Sequence, residues 1–248
     1  MQLTEKDWND CVDPQIMLDL FRERPSKRKL RLFAVACCQR HQTLLTEEQR
    51  VALDVAESFA DNKLGPDELR RAHDRAQEAL DSFPEPDAWH KLSVYDQDAT
   101  ESQRNAVWAV VDATQEMAWA AAEGASVAAA SAAAWLARIE CGRRVLGKAR
   151  DAAADRGYDA ERLAQATILR DIFGDPFEKF FKTSSATLKA AEVLARTIYE
   201  QKAFGRINEL AERLEQNGVL GSAAWAHCRD AGPHVRGCWV IDELLGRA

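Results

Sequence analysis

Helical spacing runs through nearly the whole chain, and strand signals are almost absent. After Ser26, the residues Leu30, Phe33, Cys37, His41 and Leu44 recur at i, i+3, i+7, i+11 and i+14, which is one face of an α-helix. Start signals punctuate the pattern. Thr4 precedes an acid at Asp7, close to a capping box, and opens a short helix carrying Trp8. Asp13-Pro14 restarts the chain with a cap and a proline at the first helical position, ahead of Ile16, Met17, Leu20 and Phe21. Thr46 caps a further helix with the stripe Val51, Val55 and Phe59, flanked by Ala52 and Leu53, and Gly65-Pro66 starts the next, to about Ser82.

Residues 82–100 break the periodicity with two prolines and predict a long irregular connection holding Trp89, His90 and Tyr95. Residues 105–137 are alanine-rich with Trp108, Trp119 and Trp135, and predict two long helices broken near Gly124. There alanine permits close approach and tryptophan fills the remaining space. Further helices are predicted at about 159–173, on Leu163, Ile168, Leu169 and Ile172, and at 186–202, 205–216, 222–228 and 233–245. The phenylalanines of FGDPFEKFF pin the turn after the first of these. The fold expected is all-α, a multi-helix bundle or stacked antiparallel helical hairpins, with the N- and C-terminal segments packed together. A single domain spanning 1–248 is expected, with lobes at 1–155 and 156–248.

The net charge of −7 argues against a nucleic-acid or anionic-membrane partner, because both depend on a basic surface. The densest basic stretch, RERPSKRKLR at 22–31, is short enough to be a solvated helix start. The opening MQLTEKDWND is polar where a signal peptide is basic and then apolar. The alanine run at 118–137 is interrupted by Glu123, Gly124 and two serines, so no membrane span is expected. A cytoplasmic location follows as an expectation, and the six cysteines are then thiols, buried fillers or metal ligands.

The densest chemistry lies in AHCRDAGPHVRGCWVID at 226–242. His227, Cys228, His234 and Cys238 give H-C-x5-H-x3-C, the ligand types zinc prefers without the paired C-x2-C of common zinc modules. Cys37 and Cys38, with His41 four residues beyond Cys37, offer the other half of a tetrahedral site. The competing reading makes the cysteines buried hydrophobes. Pro233 at a helix start would turn the N–H groups of His234, Val235 and Arg236 outward and, with Arg229, make an anion site of Arg229, His234 and Arg236. A cysteine nucleophile at Cys228 or Cys238 would pair with His227 or His234, but no orienting acid is identifiable. Phosphate-loop, dinucleotide, zinc-protease and serine-hydrolase signatures are absent. Asp96, Asp98 and Glu101, or Asp112 and Glu116, are acids that a hydrolytic or metal site can use; helix starts and solvated faces account for them equally.

Three segments, SKRKLRLFAVACCQRH, ATILRDIFGDPF and AHCRDAGPHVRGCWVIDELLG, together resemble a family of helical bacterial proteins that occur in multiple copies in large genomes and have no established activity or ligand. The family pattern has an arginine pair followed by apolar or aromatic residues where this chain has Gln39-Arg40-His41-Gln42, and an asparagine at Asp175. The resemblance therefore favours Cys37 and Cys38 over His41 as ligands and suggests that the two ends meet. The function expected is a non-catalytic protein-interaction or regulatory module, its partner another protein, with a structural zinc ion on Cys37, Cys38, His227, Cys228, His234 and Cys238. The alternative is an enzyme with a thiol or metal centre near 227–238.

Overall fold

The structure is a computed structural model that describes residues 4–22, 26–84, 91–142, 144–177, 188–219 and 222–247. Among these residues there are twelve α-helices and no strand, so the all-α class is as the spacing demands. They are α1 (Glu5–Asp10), α2 (Pro14–Asp19), α3 (Lys27–Gln39), α4 (Glu47–Ala60), α5 (Pro66–Asp81) and α6 (Val94–Ala113), then α7 (Ala118–Glu140), α8 (Lys148–Phe173), α9 (Lys189–Glu200), α10 (Ile207–Gln216), α11 (Ala223–Arg229) and α12 (Trp239–Leu245). No helix among the described residues is long and apolar enough to cross a membrane. The chain divides into two compact units, Val12–Ala166 and Met1–Cys11 with Thr167–Ala248, so the boundary falls inside α8.

In the Val12–Ala166 unit, α6 and α7 pack along their length and α3 packs against both. Alanine makes this possible: Ala121, Ala122, Ala125, Ala129 and Ala132 of α7 are all buried. Gly124 does not break the helix, as its position suggested. It sits within α7, where a Cβ would lie 2.5 Å from the Asp112 carboxyl carbon, so its missing side chain admits α6. The break comes instead between Ala113 and Ala118. Gly157 on α8 admits α7 as Gly124 on α7 admits α6, since a Cβ there would fall 2.6 Å from Ala137 Cβ. The carbonyls at the end of α6 are met by a buried cation: Arg31 donates to Ala113 O at 2.7 Å and Glu116 O at 2.8 Å, with its guanidinium over the Phe59 ring. This offsets both the unpaired carbonyls and the negative end of the helix dipole.

Several local expectations need correction. α3 ends at Gln39, and His41 and Leu44 fall in the turn that follows. On α4 the buried face is Ala52, Leu53, Ala56 and Ala60, while Val51 is exposed, a rotation that one side chain per turn could not reveal. Leu163 is exposed as well. Ser93 caps α6 seven residues before the end of the expected 82–100 connection, so Tyr95, Asp96 and Asp98 are helical; Trp89 and His90 lie outside the described residues, as do Phe180 and Phe181. α8 begins at Lys148, ahead of the expected 159 and through the expected lobe boundary at 155.

In the other unit, α9, α10, α11 and α12 enclose an apolar cluster that includes Ile198, Tyr199, Leu210, Leu214, Cys228 and Cys238. Arg170 near the end of α8 donates to Trp8 O at 2.7 Å and also to Cys11 O, closing the C-terminal end of α1 with a cation.

Candidate metal centre

The closing helix starts at Trp239, not at Pro233. Gly237 adopts φ +95°, a left-handed turn favoured by glycine, and Cys238 then becomes the N-cap residue. His234 and Cys238 are therefore not neighbours on one helix face. The segment between α11 and α12 folds back so that both come to Asp171, two residues before the end of α8.

The geometry at Asp171 is specific. Its Oδ1 lies 2.7 Å from Nδ1 of His234 and 2.9 Å from Nε2 of His227, and its Oδ2 accepts the Val235 backbone N–H at 2.9 Å. The same Nε2 of His227 lies 3.3 Å from Cys238 Sγ. One donor atom from each of Asp171, His227, His234 and Cys238 lies within 4.8 Å of all the others. Tetrahedral zinc with bonds of about 2.0–2.3 Å implies donor separations of roughly 3.3–3.7 Å. The separations of 2.7, 2.9 and 3.3 Å lie at or below that figure and all the others are within 4.8 Å, so the four donors enclose a space of the right order for such an ion.

Proton accounting sharpens the point. Nε2 of His234 lies 3.2 Å from Asp230 O, and a carbonyl can only accept, so Nε2 carries the proton. A neutral His234 then presents a bare Nδ1 to the Asp171 carboxylate, acceptor facing acceptor. Without an ion, a second proton on His234 resolves the conflict. Burial alone would lower the His234 pKa, but Asp171 outweighs it and holds the imidazole above its usual value. Likewise, burial would raise Asp171, yet hydrogen bonds from His227 and His234 keep it below the ordinary carboxylate range. A divalent cation can take the place of that proton, with the Asp230 carbonyl and the Val235 amide holding the ligands from behind.

The thiols fit coordination better than nucleophilic chemistry. Burial, with the Asp171 charge adding to it, pushes Cys238 well above its ordinary value, so the free thiol would be inert. A Cys–His–Asp triad also needs the two imidazole nitrogens divided between thiol and acid, whereas Asp171 and Cys238 share one nitrogen of His227.

Of the expected site residues, the structure brings together His227, His234 and Cys238. Cys228 is buried in the apolar cluster beside them, and burial pushes its thiol up to about 12. Cys37 and Cys38 belong to α3 in the other unit, both buried, both raised by burial, and are not among the four converging donors. His41 lies 3.6 Å from Glu161, which also takes Arg40 at 2.8 Å. The expected anion-binding residues have intramolecular partners: Arg229 stacks on Trp225 and faces Glu215, Arg236 donates to the Tyr199 hydroxyl at 3.1 Å, and His234 faces Asp171. The anion that the Val235 N–H meets is the chain's own carboxylate.

Asp171 is the residue that sequence reasoning missed. Its signal was an acid set between Leu169 and Ile172 on the buried face of a helix, an expensive place for a carboxylate without partners. No family model matches the chain, and neither a curated protein nor a solved structure matches it.

Proposed function

We propose that the chain is a non-catalytic helical module whose C-terminal unit is stapled by one structural metal ion, zinc by the mixture of thiolate, imidazole and carboxylate donors, and which acts by binding another protein. The observation that carries the metal reading is the convergence of Asp171, His227, His234 and Cys238 within 4.8 Å. Four protein donors complete a tetrahedron and leave no open position for substrate, the property that separates structural from catalytic zinc. A binding role is supported by the all-helical build, and a protein partner is favoured over a polyanion by the net charge of −7.

The test is thermal unfolding of the full chain, stripped with chelator and then reloaded with one equivalent of zinc. Reloading is expected to raise the melting temperature in the native chain and to have no effect in Asp171→Asn or Cys238→Ser. Equal melting temperatures for stripped and reloaded native chain would overturn the reading.

A further inference from the structure

The acids along α6 divide by what they meet. Asp96 accepts the Ser93 hydroxyl at 2.6 Å at the helix start, Asp98 is buried against Arg150, and Glu101 faces Arg104 at 3.3 Å and Asn105 at 3.1 Å. Asp112 differs. It is 8% exposed, its hydrogen-bond partner is the neutral amide of Gln115, and among the described residues no cation pairs with it. The nearby cations are otherwise engaged: Arg31 donates to the Ala113 and Glu116 carbonyls, and Arg70 pairs with Asp67 at 3.0 Å. A buried carboxylate left in this state is costly, and burial pushes it up to about 6, against the opposing pull of Gln115 and His73.

Asp112 lines a cavity of about 660 Å³ together with Phe59, His73, Gln77, Trp108 and Met117. That volume is within the ~300–1,000 Å³ of small-molecule sites. Trp108 and Met117 are 46% and 68% exposed, a large apolar area to leave open to water beside an unpaired acid. His73 lies with Nδ1 3.1 Å from Val111 O, a carbonyl that can only accept, so that nitrogen donates. The wall thus offers the carboxylates of Asp112 and Glu116 and aromatic faces, with one arginine, Arg70, that is paired with Asp67.

We propose that this cavity binds a small organic cation, an amine or ammonium group on a flat apolar body, with Asp112 as counter-charge and Trp108 and Phe59 as aromatic walls. The cation supplies the charge that Asp112 lacks and is attracted by the ring faces as well. The apolar body covers Trp108 and Met117. All the residues belong to the Val12–Ala166 unit, so the site stands independently of the metal centre.

The test is isothermal titration of the full chain at neutral pH with phenethylamine, alongside 3-phenylpropionate and 2-phenylethanol as anionic and neutral counterparts. Phenethylamine is expected to give saturable one-to-one heat, with the other two weaker by about tenfold or more. Asp112→Asn, which is isosteric, is expected to weaken the amine by about tenfold or more, and Trp108→Ala, a truncation of a half-exposed side chain, by about fivefold. The proposal is overturned by absence of saturable heat up to ~10 mM amine, by equal affinity for all three ligands, or by unchanged amine affinity in both variants. The three-ligand comparison on the native chain decides the matter even if a variant folds poorly.

Discussion

Nε2 of His227 lies 3.3 Å from Sγ of Cys238, on the same ring nitrogen that Asp171 approaches. A nitrogen has one lone pair or one proton, so it cannot serve a thiol and a carboxylate as a catalytic base would. It can serve as one corner of a coordination tetrahedron with both of them as others. Asp171→Asn keeps the shape and one oxygen but removes a charged ligand, and is expected to lower zinc affinity by well over the ~100-fold that disturbed outer-shell partners cost. Competition with a chromogenic chelator measures this directly.

Arg31 is 1% exposed and its fork spans two carbonyls at the end of α6. Burial draws its pKa down to about 10, still far above neutrality, so it remains a cation in the core. Arg31→Met is expected to destabilise the chain by about 3 kcal/mol, the upper range for charged hydrogen bonds. Arg31→Lys should recover less than half of that, because one ammonium cannot reproduce the planar fork. Chemical denaturation of the three proteins checks both figures.

Gly157 lies within α8, where alanine normally adds about 1 kcal/mol to helix stability. Here the new Cβ would meet Ala133 O at 2.8 Å as well as Ala137 Cβ at 2.6 Å, and a backbone oxygen cannot swing away. Gly157→Ala is therefore expected to destabilise by about 1–3 kcal/mol. Adding Ala137→Gly should restore only part of this, since the clash with Ala133 remains.

Asp112 makes a pH-dependent contribution whose sign is fixed by its raised pKa. Burial lifts it from 3.8 to about 6, with Gln115 and His73 pulling it down. The unfolded chain therefore releases this proton first, and stability falls as pH rises through the window from 3.8 to about 6, with the full cost present above it. Asp112→Asn is expected to raise the melting temperature at pH ~8 and to give no gain at pH ~4. A gain of equal size at both would contradict the reading.

Much of the architecture was legible because local signals agree with the fold. Thr4, Asp13, Thr46 and Ser222 cap the helices that begin after them, and Pro14 and Pro66 occupy first helical positions. Gly124 misled because a helical glycine can mark a break or a close approach, and only the neighbour at Asp112 decides between them. Pro233 misled for a related reason: it fits a helix start, but His234 and Val235 are held by Asp171 in a non-helical segment, and the helix waits for Cys238. Three of the four converging donors could be named from residue type alone. The fourth comes from 56 residues before His227, a pairing that spacing does not encode.

Cys238→Ala distinguishes an ion from a packed thiol. A small truncation in the core costs about 1–2 kcal/mol. Loss of a structural ion is expected to cost about 3–4 kcal/mol, roughly 10 °C for a chain of this size. Chelator should lower the melting temperature of the native chain towards that of the variant and leave the variant unchanged.

Elemental analysis of the purified chain, with thiols counted before and after denaturation, tests the central claim most directly. The account predicts about one equivalent of zinc, lost in Asp171→Asn and Cys238→Ala, with the buried Cys238 thiol counted only after denaturation. No bound metal in the native chain, and none taken up from added zinc, would contradict it and leave Asp171, His227, His234 and Cys238 as a hydrogen-bonded plug.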